Sequence, residues 1–238
     1  MRPALLAIVL LLCCSAQGQL DEILRKANDS LNRGNTNGLS NDKITAGLKE
    51  ALQVSTGKAV ALTGRPDGFL KNAAIKILLP DKLRLVASGM RMIGMGAQVD
   101  QLEVGMNHAA EQATPQAKQI FLSAVRRMTF DDARQILTGG DTAATDYFKR
   151  QSSADLTTAF SPIVHRSMEN VGVVQQYNRM LKSAPGGSAL AGRFDLDKYV
   201  VGKTLDGLFF MLGQEEKKIR KNPAAQTTAL LKEVFGRK

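Results

Sequence analysis

From Asp21 to Phe235, apolar residues recur at spacings of three and four, and each run is closed by Gly, Pro, Asn or Asp. That spacing puts them on one face of an α-helix, whereas a half-buried strand needs alternation with period two. No two segments pair convincingly as strands. The pattern therefore predicts an all-α fold, a single compact multi-helix bundle of roughly eleven short helices. With 44% hydrophobic and 23% charged residues, the chain can build a core and is neither a disordered tail nor a collagen.

Start and stop signals divide the chain. A short helix from Asp21 to about Arg33 ends at Gly34, and Gly34-Asn35-Thr36-Asn37-Gly38 reads as a linker. Residues 19–39 thus form a short N-terminal helix and flexible linker ahead of an all-helical domain over 40–236. Ser40 or Asn41 caps a helix whose stripe is Ile44, Leu48, Ala51, Leu52, Ser55, Ala59 and Leu62, ending at Gly64. Leu83, Val86, Ala87, Met90 and Ile93 share a face of the next helix, and Gly94 to Gly96 breaks it. Val99, Leu102, Met106, Ala109, Ala110 and Ala113 form another stripe. Thr114-Pro115 reads as a cap with proline at the first helical position, and Thr129 with Asp132 reads as a capping box for a helix closed by Gly139-Gly140.

Asp141 starts a helix through Tyr147 and Phe148, Ser161-Pro162 interrupts or starts another, and a third covers Val173 to Leu181. Pro185 opens a loop lasting to about Phe194. Asp195 then caps a long helix to about Arg220, Asn222-Pro223 breaks it, and a last helix carries Ala225 to Phe235. Residues 65–80 depart from this grammar. Arg65-Pro66-Asp67-Gly68 is a turn, and Ile75 to Pro80 reads as one extended, strand-like segment without a partner strand.

The N-terminus has the layout of a signal peptide over residues 1–18: Arg2, the nine apolar residues Ala4 to Leu12, then Ala16 and Gly18 at the two small-residue positions. Cleavage is expected before Gln19, giving a periplasmic or secreted chain. Nine apolar residues are too few to cross a bilayer, which takes about 20, so no transmembrane span is expected after cleavage. Leu11-Leu12-Cys13-Cys14 loosely resembles a lipobox, which would make Cys14 a lipid anchor instead. Cys13, however, stands where such signals carry Gly, Ala or Ser. Cys13 and Cys14 are the only cysteines, so the mature chain would hold no thiol and rest on its core, with about 220 residues burying roughly 70% of their unfolded surface.

The net charge is +10; without the leader 31 Lys and Arg remain against 22 acids, a net of +9. Arg126-Arg127, Lys149-Arg150 and Lys217 to Lys221 fall at expected helix C-termini, and Asp81, Asp131-Asp132, Asp141 and Asp195 at expected N-termini. The helix dipole favours each such placement by about 0.3 to 1 kcal/mol. A surplus of cations is left, which suits an anionic membrane surface or an acidic envelope partner. Nucleic acid is not expected, because the chain is read as exported and its three Tyr and nine Phe are not interleaved with basic residues.

Candidate chemistry is sparse. His108 precedes Glu111 by three residues and His165 precedes Glu169 by four, so each shares a helix face with a carboxylate, but neither matches the spacing of a di-iron bundle. Met90, Met92 and Met95 resemble spaced thioethers for Cu(I), yet 90 and 92 point apart on a helix, and gap-filling in a core explains them as well. Thr56-Gly57-Lys58 lacks the earlier glycine of a phosphate loop, because position 52 is Leu52. Neither Gly-x-Ser-x-Gly nor His-Glu-x-x-His occurs. No catalytic residue, metal ligand or cofactor is assigned.

Several blocks carry a resemblance. Ile44 to Leu52, Met106-Asn107-His108-Ala109-Ala110-Glu111, Met128-Thr129 with Asp132-Ala133, Ile136 to Gly139, Ala143-Ala144-Thr145-Asp146-Tyr147-Phe148, Leu205-Asp206-Gly207-Leu208-Phe209 and Ile219-Arg220 to Phe235-Gly236 occur in order. Over about residues 39 to 236 the chain resembles the bacterial domain of unknown function 4197. The resemblance implies an exported helical protein and supplies no activity. It also implies Arg as the usual residue where this chain has His108, which speaks against a metal or general-base role for that histidine.

Within these blocks Asn107, Glu111, Thr145, Tyr147 and Asp206 are candidates for a polar ligand-binding pocket, if the helices bring them together. The plainer reading is a tight crossing of helices at Ala109-Ala110 and Ala143-Ala144. The leading expectation is non-enzymatic binding of an envelope component, lipid or anionic ligand. A carboxylate-dependent hydrolase using an Asp or Glu with an Arg, in the region of Glu111 and Asp206, and a structural or assembly factor of the cell envelope, are the alternatives.

Overall fold

The computed structural model describes residues 41–170, 172–183 and 194–221. The expected leader, N-terminal helix and linker, most of the loop expected after Pro185 and the helix expected after Pro223 lie outside the described residues. Over those residues the chain is all-α, with eight α-helices and one 3-10 turn. They are α1 (Asn41–Gly64), α2 (Asp81–Met92), α3 (Gly96–Ala113), α4 (Ala117–Arg127), α5 (Phe130–Thr138), α6 (Ala143–Asn170), α7 (Val173–Ser183) and α8 (Leu196–Lys221).

The bundle has fewer and longer helices than the roughly eleven short ones expected. The clearest difference is Pro162, which was expected to bound a helix and instead lies inside the 28-residue α6. An interior proline costs about 3 kcal/mol through a lost N–H and a clash with the preceding turn. Leu156, Phe160, Val164 and Met168, all fully buried, flank it on the core face. At about 1.5 to 3 kcal/mol for each such side chain, packing outweighs the proline. Because α6 is continuous, Lys149 and Arg150 sit near its start, not at a C-terminus as expected.

Other signals hold as read. Thr129 and Asp132 form the reciprocal capping box of α5, with Asp132 N–H donating to Thr129 Oγ1 at 3.1 Å and Thr129 N–H to Asp132 Oδ2 at 2.9 Å. Asp195 Oδ1 accepts the Lys198 N–H at 2.9 Å ahead of α8. Thr114 differs: its hydroxyl donates back to the Ala110 carbonyl at 2.8 Å, and the 3-10 turn Thr114–Gln116 carries the chain from α3 into α4 without a side-chain cap.

Helix α6 packs against α8 and α3, and α1 lies across α8 and α4. Phe148 of α6 anchors the centre, its ring 5.1 Å from Phe121 of α4 in a T-shaped pair, and Phe121 in turn lies 6.1 Å from Phe209 of α8. Helix α3 carries small, fully buried residues at Ala109, Ala110 and Ala113, which lets its neighbours approach closely.

Candidate functional site

Residues 76–79 follow a turn that ends at Ile75, and burial alternates with period two: Ile75, Ile77 and Leu79 face the core, and Lys76 and Leu78 face solvent. The missing partner strand is replaced by side chains of α3. Asn107 Oδ1 accepts the Ile77 N–H at 2.8 Å and Asn107 Nδ2 donates to the Ile77 carbonyl at 2.8 Å, the two bonds a neighbouring strand would make. Glu103 accepts the Leu79 N–H at 3.3 Å, and from α8 the Tyr199 hydroxyl donates to the Leu78 carbonyl at 2.8 Å.

One turn further along α3, the buried carboxylate of Glu111 gathers the preceding turn. It accepts the N–H groups of Asp67 at 3.1 Å, Phe69 at 3.0 Å and Leu70 at 3.1 Å. Gly68 is needed inside this turn, since a Cβ there would stand 2.5 Å from the Leu62 carbonyl oxygen. Asp67 takes the left-handed conformation at φ 59°, which Asp tolerates better than most residues. Its carboxyl is held below the usual range, chiefly by a hydrogen bond from Lys71 and to a lesser degree by His108.

The outer side of this segment is one wall of an open groove of about 680 Å³. Pro80, Asp81, Lys82 and Arg84 at the start of α2 form a second wall, and Tyr199, Lys203, Asp206 and Phe210 of α8 the third. Leu78, 47% exposed, and Phe210, 44% exposed, give the groove apolar surface from two of its walls. Gly207 fixes the floor, because a Cβ there would lie 2.5 Å from Phe69 Cε1 and 3.2 Å from Ile75 Cβ.

Cations outnumber acids around the rim. Arg84 pairs with Asp81 at 3.0 Å and Lys203 with Asp206 at 3.4 Å, while Lys76 and Lys82 have no ion pair among the described residues. Lys203 Nζ also stands 6.0 Å from the centre of the Tyr199 ring. Burial, aided by Asp81, Glu103 and Asp206, pushes the Tyr199 phenol above its usual range.

The five candidate residues fall in three places. Asn107 holds the groove wall from behind and Glu111 the turn that precedes it, neither lining the groove, while Asp206 lines it. Thr145 lies at the start of α6, where Glu216 of α8 accepts the N–H groups of Ala144 and Thr145 and the Thr145 hydroxyl at 2.8 to 2.9 Å. Tyr147 donates to the Ala124 carbonyl at 3.1 Å and borders a separate cleft of about 190 Å³ with Asp132, Asp146 and Arg150. Burial pushes its phenol up. Among the described residues, the groove that Asp206 lines does not include Glu111.

His165, on the surface of α6, bonds Asp197 through Nδ1 at 2.6 Å and lies 3.5 Å from Glu169. The bond it donates to Asp197 raises its pKa above the usual histidine value. His108 Nε2 is 3.9 Å from Asp67. Met90 is buried, Met92 exposed and Met95 between the two, so their sulfurs do not converge. Among the described residues, no group of three or more His, Cys, Asp or Glu is placed to hold a metal ion, and no helix is long and apolar enough to cross a membrane.

Lys76, Leu78, Tyr199, Lys203 and Phe210 are missing from the candidates that the sequence suggests. Two signals point to them. Leu78 breaks the period-two alternation of Ile75, Ile77 and Leu79 by being apolar on the outward phase. Residues 199, 203, 206, 207 and 210 follow helical spacing as a stripe that is neither apolar nor uniformly charged.

A family model described as a protein of unknown function, DUF4197, matches residues 38–236. No curated protein and no solved structure matches the chain.

Proposed function

The chain belongs to the DUF4197 family, and from that premise we propose that it binds an anionic amphiphile, outside the cytoplasm and without catalysis, in the groove between residues 74–80, the start of α2, and α8. The observation that carries this reading is that Leu78 and Phe210, two exposed apolar side chains from different elements, line one groove together with Lys76 and Lys82, which have no ion pair among the described residues. Apolar side chains in a concave site supply affinity for an acyl or aryl body, and a few placed cations orient an anionic head. The Tyr199 hydroxyl is already engaged by the Leu78 carbonyl, so it stiffens the wall and leaves recognition to the lysines.

Dodecyl phosphate below its micelle concentration, titrated calorimetrically against dodecyl maltoside, tests the reading. Binding of the phosphate alone is expected. Leu78→Ser with Phe210→Ser should weaken it at least tenfold, and Lys76→Ala with Lys82→Ala should remove the preference for charge. Equal binding by all variants, or none by the wild type, would discard the groove as a site. Export belongs to the same proposal and is supported by the layout of Arg2, Ala4 to Leu12 and Ala16 to Gly18. A mature chain beginning at Gln19 is the expected mass, while a lipidated Cys14 would replace it with an anchored form.

A further inference from the structure

Helix α2 turns two large apolar side chains directly away from the core. Leu83, Val86, Ala87 and Met90 are its buried face. At about 100° per residue, Leu85 and Met92 fall on the opposite pole, two turns apart. They are 86% and 83% exposed, and Ile93, at the turn that Gly94 closes with φ 82°, is 66% exposed. One exposed leucine needs no explanation, but Leu85 and Met92 on one pole, with Ile93 exposed at the helix end beside Met92, make an apolar surface of the kind that marks an interaction site.

We propose that this ridge docks the protein on an anionic lipid bilayer, with Leu85, Met92 and Ile93 entering the interface. Three observations favour lipid over a second copy of the chain. Arg84 and Arg91 flank the apolar pole along one side and Lys82 stands on the other, so the ridge has the cation-bordered layout of a helix that lies in a membrane surface. Asp81 and Asp100 lie beside it, and each is bound by one of these arginines, Asp81 by Arg84 at 3.0 Å and Asp100 by Arg91 at 2.5 Å, while Lys82 has no ion pair among the described residues. A stable dimer buries about 1,200 to 2,000 Å², far more than three side chains supply, whereas a bilayer requires no shape match.

The ridge also begins at the rim of the groove, since Arg84, which lines the groove, directly precedes Leu85. A bilayer held there is a source of anionic amphiphiles, so the docking extends the groove reading and rests on it for its purpose. Vesicle binding by itself does not require the groove.

Flotation of the full mature chain with phosphatidylglycerol vesicles, compared with phosphatidylcholine vesicles, tests the docking. The wild type should float with the anionic vesicles at low salt and less at high salt. The triple variant Leu85→Ser, Met92→Ser, Ile93→Ser should lose roughly tenfold or more in vesicle affinity. These side chains are exposed, so its circular dichroism and melting should match the wild type, and its binding of dodecyl phosphate in solution should be retained. Flotation of the triple variant equal to that of the wild type overturns the docking, as does a wild type that stays with the lipid-free fraction. A concentration-dependent dimer that the triple variant abolishes, in a protein that does not float, overturns it in favour of self-association. Ridge-dependent flotation in a protein that does not bind dodecyl phosphate would keep the docking and remove the groove reading alone.

Discussion

Glu111 accepts the backbone N–H of Phe69 at 3.0 Å across 42 residues of chain, and with Asp67 and Leu70 it is the acceptor for three amides of one irregular turn. A buried carboxylate used this way contributes through charge-assisted bonds, and its removal leaves donors without partners. Glu111→Ala should lower the unfolding free energy by on the order of 3 kcal/mol, and Glu111→Gln by about half that. Hydrogen exchange at the Phe69 and Leu70 amides should quicken in both. A Glu111→Ala variant with wild-type stability and protection would show that the turn holds itself.

Gly207 is a steric requirement, not a flexible point. Its neighbour is an aromatic ring edge at 2.5 Å from the would-be Cβ, and that ring belongs to Phe69, which is itself locked by Glu111. Gly207→Ala should cost about 1 to 3 kcal/mol through overpacking, against the small gain that alanine ordinarily brings to a helix. Phe69→Leu in the same chain should recover part of that loss. Simple additivity of the two changes in chemical denaturation would argue against the contact.

Two buried hydroxyls, Ser167 Oγ and Tyr177 OH, lack hydrogen-bond partners among the described residues. An unsatisfied buried polar group costs about 1 to 3 kcal/mol. Ser167→Ala and Tyr177→Phe should therefore be neutral or raise stability by about 1 kcal/mol each. Burial also pushes the Tyr177 phenol up, consistent with a hydroxyl that has lost water. Melting curves decide this, and a clear loss in either variant would reveal a partner for that hydroxyl.

The pair of His165 with Asp197 should make stability depend weakly on pH. The folded pKa lies above the usual histidine value, so the protonated form is favoured in the native state. Its contribution is then complete below about pH 6.5 and is lost as the pH rises through the raised folded value. His165→Gln should therefore melt below the wild type near about pH 5.5 and alongside it near about pH 9. The group is exposed, so the difference will be small; a gap that widens with pH would reverse the assignment.

The helices were legible in the sequence because a stripe such as Val99, Leu102, Met106, Ala109 and Ala113 can be satisfied in only one way. Helix number was less so. Whether Pro162 ends a helix depends on the packing of Phe160 and Val164 against other elements, which local pattern does not contain. The polar residues in the conspicuous blocks, Asn107, Glu111 and Thr145, were noticed for a sound reason, since buried polar groups need partners. Their partners are distant: backbone amides of residues 67–77 for two of them, and Glu216 for the third. The groove was illegible because it joins residues 74–84 to 194–210, and only the fold brings those together.

Asn107 binds Ile77 solely through the main chain, and Tyr199 does the same at Leu78. The scaffold thus recognises the position of this wall and is indifferent to the outward side chains at 76 and 78. Those two sites can be exchanged without touching the bonds that hold them, so ligand preference can drift among related chains while the architecture stays constant. Swapping Lys76 and Leu78 is therefore a route to altered selectivity on an unaltered frame.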